Sequence, residues 1–190
     1  MTTNHPTILI GIILLTSILI SCDKKNMYAV SPYPLKVYLQ RYNEAEKNLY
    51  CDSKEMKKLS EDICEYYWSF YAAGSHSLEE YKKRIDSAPI KNAELFYAYS
   101  RHNPEKFKQR YEEAKKYNLD HYLIKKDSQF KGLLDFFYAG SDHSITKFIQ
   151  RLKTGRSHFT EEFSLFSYAM SKNDIKTFKA RFKEISNSIK

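Results

Sequence analysis

One pattern recurs five times along this chain, and it decides what the chain can fold into. Phe96–Tyr111 reads FYAYSRHNPEKFKQRY, Phe70–Ile85 reads FYAAGSHSLEEYKKRI, Phe137–Leu152 reads FYAGSDHSITKFIQRL and Ser167–Phe182 reads SYAMSKNDIKTFKARF. A weaker copy, MYAVSPYPLKVYLQRY, occupies Met27–Tyr42. All align without a gap as Tyr-Ala, an aromatic ten positions after the Tyr, Arg three later, and a large apolar or aromatic residue next. A unit this short cannot bury its own apolar face, so the copies must pack on one another.

The punctuation inside each copy predicts helix, tight turn, helix. Ahead of Tyr97, the run from Ile90 is rich in helix formers and has no internal breaker. Asn103-Pro104 then supplies an N-cap residue followed by Pro at the first helical position, where its missing N–H costs nothing. Phe107, Tyr111 and Ala114 fall on one face at i, i+4, i+7. Elsewhere, Gly74 can end a helix in the left-handed conformation and Ser77-Leu-Glu-Glu80 is a capping box. Ser144 and Asp174 can cap the corresponding helices of the last two copies. Ala72, Ala98, Ala139 and Ala169 sit where a small side chain lets paired helices approach. The aromatics Tyr38, Tyr81, Phe107, Phe148 and Phe178 are the natural plugs between them.

The expected fold class is all-α: a stack of antiparallel helix-turn-helix repeats forming a single α-helical repeat domain over residues 35–190. Five Gly and five Pro in 190 residues leave little for hairpins or linkers. The first long helix is expected over about Leu35–Leu49, after an extended entry imposed by Pro32 and Pro34. A short helix is expected around His121–Lys126. The last helix, about Asp174–Ile189, has no following repeat and is expected to cap the stack.

The chain opens differently. Ile8–Ile20 is apolar but for Gly11, Thr16 and Ser17, too short for a comfortable membrane span and suited to a signal-peptide core. It ends Leu19-Ile20-Ser21-Cys22, which resembles the lipobox of bacterial lipoproteins. That resemblance implies a signal peptide over 1–21, diacylglyceryl and acyl (palmitate-type) modification of Cys22, and a lipidated tether over 22–34. It places the protein on the periplasmic side of the cell envelope, and Asp23 after the Cys favours the inner membrane. Acyl chains attached together give stable anchoring. The mature part carries all the charge, 31 Lys+Arg against 23 Asp+Glu, for a formal +8. Export argues against nucleic acid as a partner despite this balance, whereas an acidic protein or anionic phospholipid fits it.

Among residues that could carry chemistry, Cys51 and Cys64 remain once Cys22 is assigned. They could form a disulfide if the helix holding Cys64 begins near Ser60; with an unbroken helix from Ser53 they are too far apart. Two separate buried thiols is the favoured alternative. Five of the seven Arg, namely Arg41, Arg84, Arg110, Arg151 and Arg181, share one repeat position. Arg suits a planar group reaching several carbonyls or stacking on an aromatic. The structural reading ties each helix to the C-terminal end of a neighbour; the functional one makes a cationic ridge for an acidic partner. His76, His102 and His143 share a turn position, with Asn173 and Tyr33 in the other copies, and suit hydrogen bonds between repeats better than a metal centre, whose ligands must converge. Ser128-Gln-Phe-Lys131, Ser141-Asp142-His143 and Lys153-Thr154-Gly155 echo elements of penicillin-binding enzymes, but they crowd into 28 residues of a Ser- and Lys-rich chain. No nucleophile elbow, Walker loop, dinucleotide fingerprint or zinc-protease motif is present, so no cofactor, metal or catalytic residue is expected.

The Tyr-Ala followed by a His or Asn turn and a second amphipathic helix is similar to ankyrin repeats, whose Ala-x-x-Gly-His turn is echoed at Ala98–His102, Ala72–His76 and Ala139–His143. The resemblance covers about Tyr66 to Ile185 and implies protein binding, typically through a concave face. Export, anchoring and a repeat scaffold together point to a periplasmic lipoprotein that binds a protein partner, an immunity or inhibitor factor being one form. A structural adaptor of an envelope complex is the alternative, with a cell-wall enzyme behind it.

Overall fold

The computed structural model describes residues 23–49, 61–125, 127–128 and 130–188, and over them the protein is all-helical. Ten α-helices form five hairpins. These are α1 (Asp23–Val30) with α2 (Leu35–Asn48), α3 (Glu61–Ala73) with α4 (Leu78–Asp86), and α5 (Glu94–Tyr99) with α6 (Pro104–Lys116). The last two are α7 (Leu133–Gly140) with α8 (Ile145–Gly155), and α9 (Glu162–Met170) with α10 (Ile175–Ser188). Each hairpin is one copy of the repeat. The odd-numbered helix carries Tyr-Ala near its end, and the even-numbered helix carries the plug aromatic and the Arg.

The caps define the hairpins as their chemistry requires. The side chains of Ser77, Asn103 and Ser144 accept the backbone N–H groups of Glu80, Lys106 and Lys147, and Asp174 accepts that of Thr177. Pro104 sits at the start of α6. Gly74 differs from expectation: among the described residues the positive-φ glycine is Gly132, so α3 ends without a left-handed residue. Gly74 is instead set by close approach, since a Cβ there would lie 3.3 Å from the Phe70 carbonyl oxygen. The run from Ile90 to Ala93 is not helical, because Asn92 turns the chain at φ 67° and α5 begins only at Glu94. In place of a helix around His121–Lys126 there is one 3-10 turn, Leu119–Tyr122, entered through Asn118 at φ 46°.

The hairpins pack so that each even-numbered helix lies on the odd-numbered helix of the next hairpin: α2 on α3, α4 on α5, α6 on α7, α8 on α9. The odd-numbered helices also touch in sequence, α1 to α3 to α5 to α7 to α9. Both series then close, because α9 and α10 pack against α1. The five hairpins therefore form a ring rather than an open stack. Three expectations are corrected by this. The segment from Asp23, read as a polar tether, is helix α1, and Asn26 to Val30 are buried. The last helix is no terminal cap, for its partner is the first hairpin. Among the described residues, side chains fill the axis of the ring, so the hairpins do not frame the open concave groove that the ankyrin resemblance implies.

Residues just before the motif Tyr fill that axis: Met27, Phe70, Phe96, Phe137 and Ser167 are all buried. Phe70–Phe96 and Phe96–Phe137 meet edge to face at 5.2 and 4.9 Å, and Phe166 joins Phe137 at 5.6 Å. Such pairs add about 0.5–1.5 kcal/mol each beyond their buried area. The motif alanines Ala29, Ala72, Ala98, Ala139 and Ala169 are fully buried, as are all five plug aromatics. No described helix is long and apolar enough to cross a membrane.

Candidate functional site

The motif Arg forms the joint between hairpins, and the joint has the same construction five times. Arg41 Nη2 donates to the carbonyls of Tyr71 (3.0 Å) and His76 (2.8 Å). Arg84 donates to Tyr97 (2.8 Å) and His102 (2.7 Å), Arg110 to Tyr138 (2.8 Å) and His143 (2.7 Å), and Arg151 to Tyr168 (2.7 Å) and Asn173 (2.6 Å). Arg181 closes the ring, donating to the carbonyls of Tyr28 and Tyr33. Each acceptor pair belongs to the C-terminal end of a helix and the turn after it; the Tyr carbonyl, which accepts a single cap N–H three residues on, takes the guanidinium as a further donor. Every guanidinium also lies over the ring of the same Tyr, at 4.1 to 4.2 Å from its centroid. A planar, permanently charged fork does both jobs where an ammonium could not. The Tyr ring is held from its other side by the plug aromatic of its own hairpin, as in Tyr97–Phe107 at 5.4 Å.

Two further contacts repeat. His76 Nε2 meets the Ser100 carbonyl at 2.7 Å, His102 that of Ser141 at 2.8 Å and His143 that of Ser171 at 2.7 Å. A carbonyl can only accept, so Nε2 carries the proton. Asn173 holds the corresponding place at the closing joint, donating to Ala29 at 2.7 Å. Burial holds His102 and His143 below the usual imidazole pKa, with Arg110 and Arg151 adding to the effect, although the bond to the carbonyl works against it. The second contact has its own sequence signal: Arg is followed three residues later by Glu in three copies. Glu44, Glu113 and Glu184 accept the hydroxyls of Tyr71, Tyr138 and Tyr28. Burial and the bond to Glu184 push the Tyr28 hydroxyl up to about 12.

These joints use up the motif polar residues inside the ring. The place where groups from all five hairpins converge toward solvent is the axial mouth on the side of the tight turns. It is a pocket of about 130 Å³ to which every hairpin contributes, among them Pro32, Ser75, Arg101, Asp142 and Lys172 from one position in successive turns. Its floor comes from Val30, Ala73, Tyr99, Gly140 and Met170, one step after the motif Ala. Lys172 Nζ pairs with Asp142 at 2.7 Å, and His102 lies 3.9 Å from the same carboxylate. Burial alone would raise the Asp142 pKa, but Lys172, His102 and Arg101 outweigh it and hold the group ionised. Arg101 is exposed at the rim, its Nε donating to Ser75 Oγ at 3.2 Å. Burial and the charge of Asp142 push the Tyr99 hydroxyl well above its ordinary value, so it stays a neutral phenol. The mouth thus offers one neutralised cation–anion pair and, on its rim, the exposed Arg101 guanidinium, tied at Nε to Ser75.

The other sequence candidates lie elsewhere. Cys22 and Cys51 fall outside the described residues. Cys64 is buried and disulfide-bonded, and its partner cysteine falls outside them too. Ser128 donates to the buried Glu162, which also accepts the backbone N–H groups of Ile124 (2.8 Å) and Lys125 (3.1 Å). This carboxylate pins the long α6–α7 connection. Lys131 is exposed, and Lys153-Thr-Gly155 closes α8 rather than lining a strand. Among the described residues no group of three or more His, Cys, Asp or Glu is placed to hold a metal. No family model, curated protein or solved structure matches the chain.

Proposed function

We propose that this chain is an exported protein, anchored to the bacterial envelope through acylated Cys22, that acts by binding a protein partner at the mouth of its ring. One observation carries the reading: all five hairpins bring one turn position each to a single rim, with Arg101 exposed on it. The scaffold beneath is pinned by five guanidinium joints, those of Arg84, Arg110 and Arg151 buried, so a partner meets a preorganised surface and pays little to order it. An acidic side chain is the complement, since Asp142 is already matched by Lys172 and the whole chain carries a formal +8. An immunity or inhibitor factor is one form such a binder takes.

The test is reciprocal capture of an envelope protein by the full-length anchored chain, compared with Arg101→Glu and Arg101→Glu/Lys172→Glu variants of unchanged thermal stability. A partner retained by the wild type and lost from both variants is the expected result. A partner retained equally by all three removes the mouth from the reading. Failure of any envelope protein to co-purify in either direction removes the binding role.

A further inference from the structure

The mouth is graded from rim to floor, and its two levels ask for different groups. At the rim the turn residues Pro32, Ser75, Arg101, Asp142 and Lys172 are all exposed. One level down, Val30, Ala73 and Met170 are only 5%, 2% and 3% exposed, yet they line the pocket. The floor therefore presents methyl groups and a thioether to a space of about 130 Å³.

Size sets one limit on what enters. An apolar cavity of about 150 Å³ takes a benzene ring. The space at the mouth is thus matched to one phenyl ring or one branched aliphatic group, and an indole overfills it. Chemistry sets a second limit. Aspartate and glutamate carry the carboxylate at the tip of the side chain. Inserting one would bring its charge onto the apolar floor and strip its water. An acidic side chain therefore stops at the rim, and the floor is left for an apolar group beside it.

The rim has donors to match. Arg101 is tied at Nε to Ser75 Oγ, while its Nη groups form no hydrogen bond with a described residue. The Tyr99 hydroxyl forms none either, and it stands where the charges of Asp142 and Arg101 both reach it. Asp142 is the one carboxylate in the lining, and Lys172 already meets it. Donors thus outnumber acceptors at the edge of an apolar floor. Interface pockets that take an anchor residue have this build, an apolar centre with polar groups around it.

We infer that the mouth is a socket for one apolar side chain of the partner, the size of phenylalanine or leucine, seated on Val30, Ala73 and Met170 while a neighbouring acidic residue of the same partner segment bonds Arg101 at the rim. This rests on the mouth being the partner's seat and adds what the partner must present there. The Tyr99 hydroxyl is placed to donate to a backbone carbonyl of that segment. Charge alone would admit any acidic surface; the socket restricts the choice to an acidic residue beside an apolar one.

The probe is 3-phenylpropionate, a phenyl ring and a carboxylate joined by two methylenes. Its controls are 3-phenylpropionamide, which lacks the charge, and propionate, which lacks the ring. The full-length chain, labelled at its methionine methyl groups, is titrated in mild detergent and followed by NMR. The Met170 methyl reports the floor. Met27, fully buried in the axis and outside the mouth, reports non-specific uptake. With the acid, the Met170 signal should shift and saturate in the millimolar range expected of so small a ligand, with Met27 unmoved. The amide should bind several-fold more weakly and propionate should leave Met170 unmoved. Arg101→Gln, an exposed change, should bring the acid down to the affinity of the amide. Ala73→Leu fills the floor and should abolish saturation by both at an unchanged far-UV spectrum; if that variant does not fold, the other measurements decide. A wild type without a saturable Met170 shift, or with acid and amide bound alike, overturns the socket, while capture through Arg101 stands or falls on its own test. Saturation that persists in a folded Ala73→Leu chain puts the ring elsewhere and overturns it too. A chain that saturates but captures no envelope protein keeps the pocket and removes a protein as its occupant.

Discussion

Removing the Arg181 side chain separates a ring from an open stack. In an open stack the last Arg has no neighbour to hold, and its loss should resemble any surface change, within about 0.5 kcal/mol. In the ring Arg181 bonds the Tyr28 carbonyl through Nε (3.2 Å) and Nη2 (3.1 Å), bonds the Tyr33 carbonyl, and lies 4.1 Å from the Tyr28 ring centroid. Hydrogen bonds from a charged donor contribute about 1.5–3 kcal/mol each, and the partial exposure of this joint lets water replace some of that. The stacked cation adds about 1 kcal/mol. Arg181→Ala should therefore cost about 3 kcal/mol. With an m-value near 2 kcal/mol/M, the urea midpoint should fall by about 1.5 M at unchanged slope. Arg151→Ala, at an internal joint of the same design, should cost as much or slightly more, because Arg151 is 7% exposed. Lys183→Ala, exposed on the same helix, is the control. Far-UV circular dichroism in urea reads all three. Should Arg181→Ala unfold with the control while Arg151→Ala loses a molar or more, the closing joint carries no energy and the ring account is wrong.

Three other perturbations follow from single contacts. Asp135 is pushed up to about 6 by burial and by the neighbouring Asp120. The folded state therefore holds, between about pH 4 and 6, a proton that the unfolded chain releases, and this group's contribution to stability rises as pH falls. Asp135→Asn should raise the thermal midpoint at pH 7.5, and its advantage over wild type should shrink toward zero near pH 4.5. The half-buried imidazoles act in the opposite sense. The folded pKa of His143 is lowered, so its share of stability is lost as pH falls below the unfolded value of about 6.5. His143→Asn copies what Asn173 does at the closing joint, so it should keep the fold and flatten the pH dependence between 6.5 and 5, in thermal melts across that range. A Cβ at Gly155 would lie 2.7 Å from Leu165 Cδ1 and 2.8 Å from Tyr168 Cδ1. Gly155→Ala should cost about 1–2 kcal/mol in urea denaturation although alanine favours the helix.

The local structure was legible because it depends on residues near one another in sequence. Caps at Asn103, Ser144 and Asp174 and plugs at ten-residue spacing from the motif Tyr declare a hairpin without reference to anything distant. Where local signals misled, the tertiary setting overrode propensity: Ile90–Ala93 reads as helix, but the chain must turn there to bring α5 against α3, and Asn92 makes that turn. The closed ring needed a comparison between the ends. The first copy has the acceptor half of a joint in Tyr28 with no Arg before it, and the last has Arg181 with no Tyr after it. Those unmatched halves complete one another, a signal present in the sequence but invisible while the repeats are assumed to run in a line. The mouth was not legible, because its residues vary by design: Pro32, Ser75, Arg101, Asp142 and Lys172 share a place and no chemistry. Its position follows only from the axis.

Closure also restricts how this architecture can change. A linear array tolerates duplication or deletion of a unit, since the remaining neighbours still fit. Here the angle between adjacent units is set so that the fifth meets the first, and a sixth would have to be accommodated by reshaping every joint at once. Point substitution is left as the available route of divergence, and it is freest where the turns reach the rim. Because α1 and α10 pack on one another, the described helices could be joined at Asp23 and Ser188 and the chain reopened at a long connection to give the same circle with a different starting point.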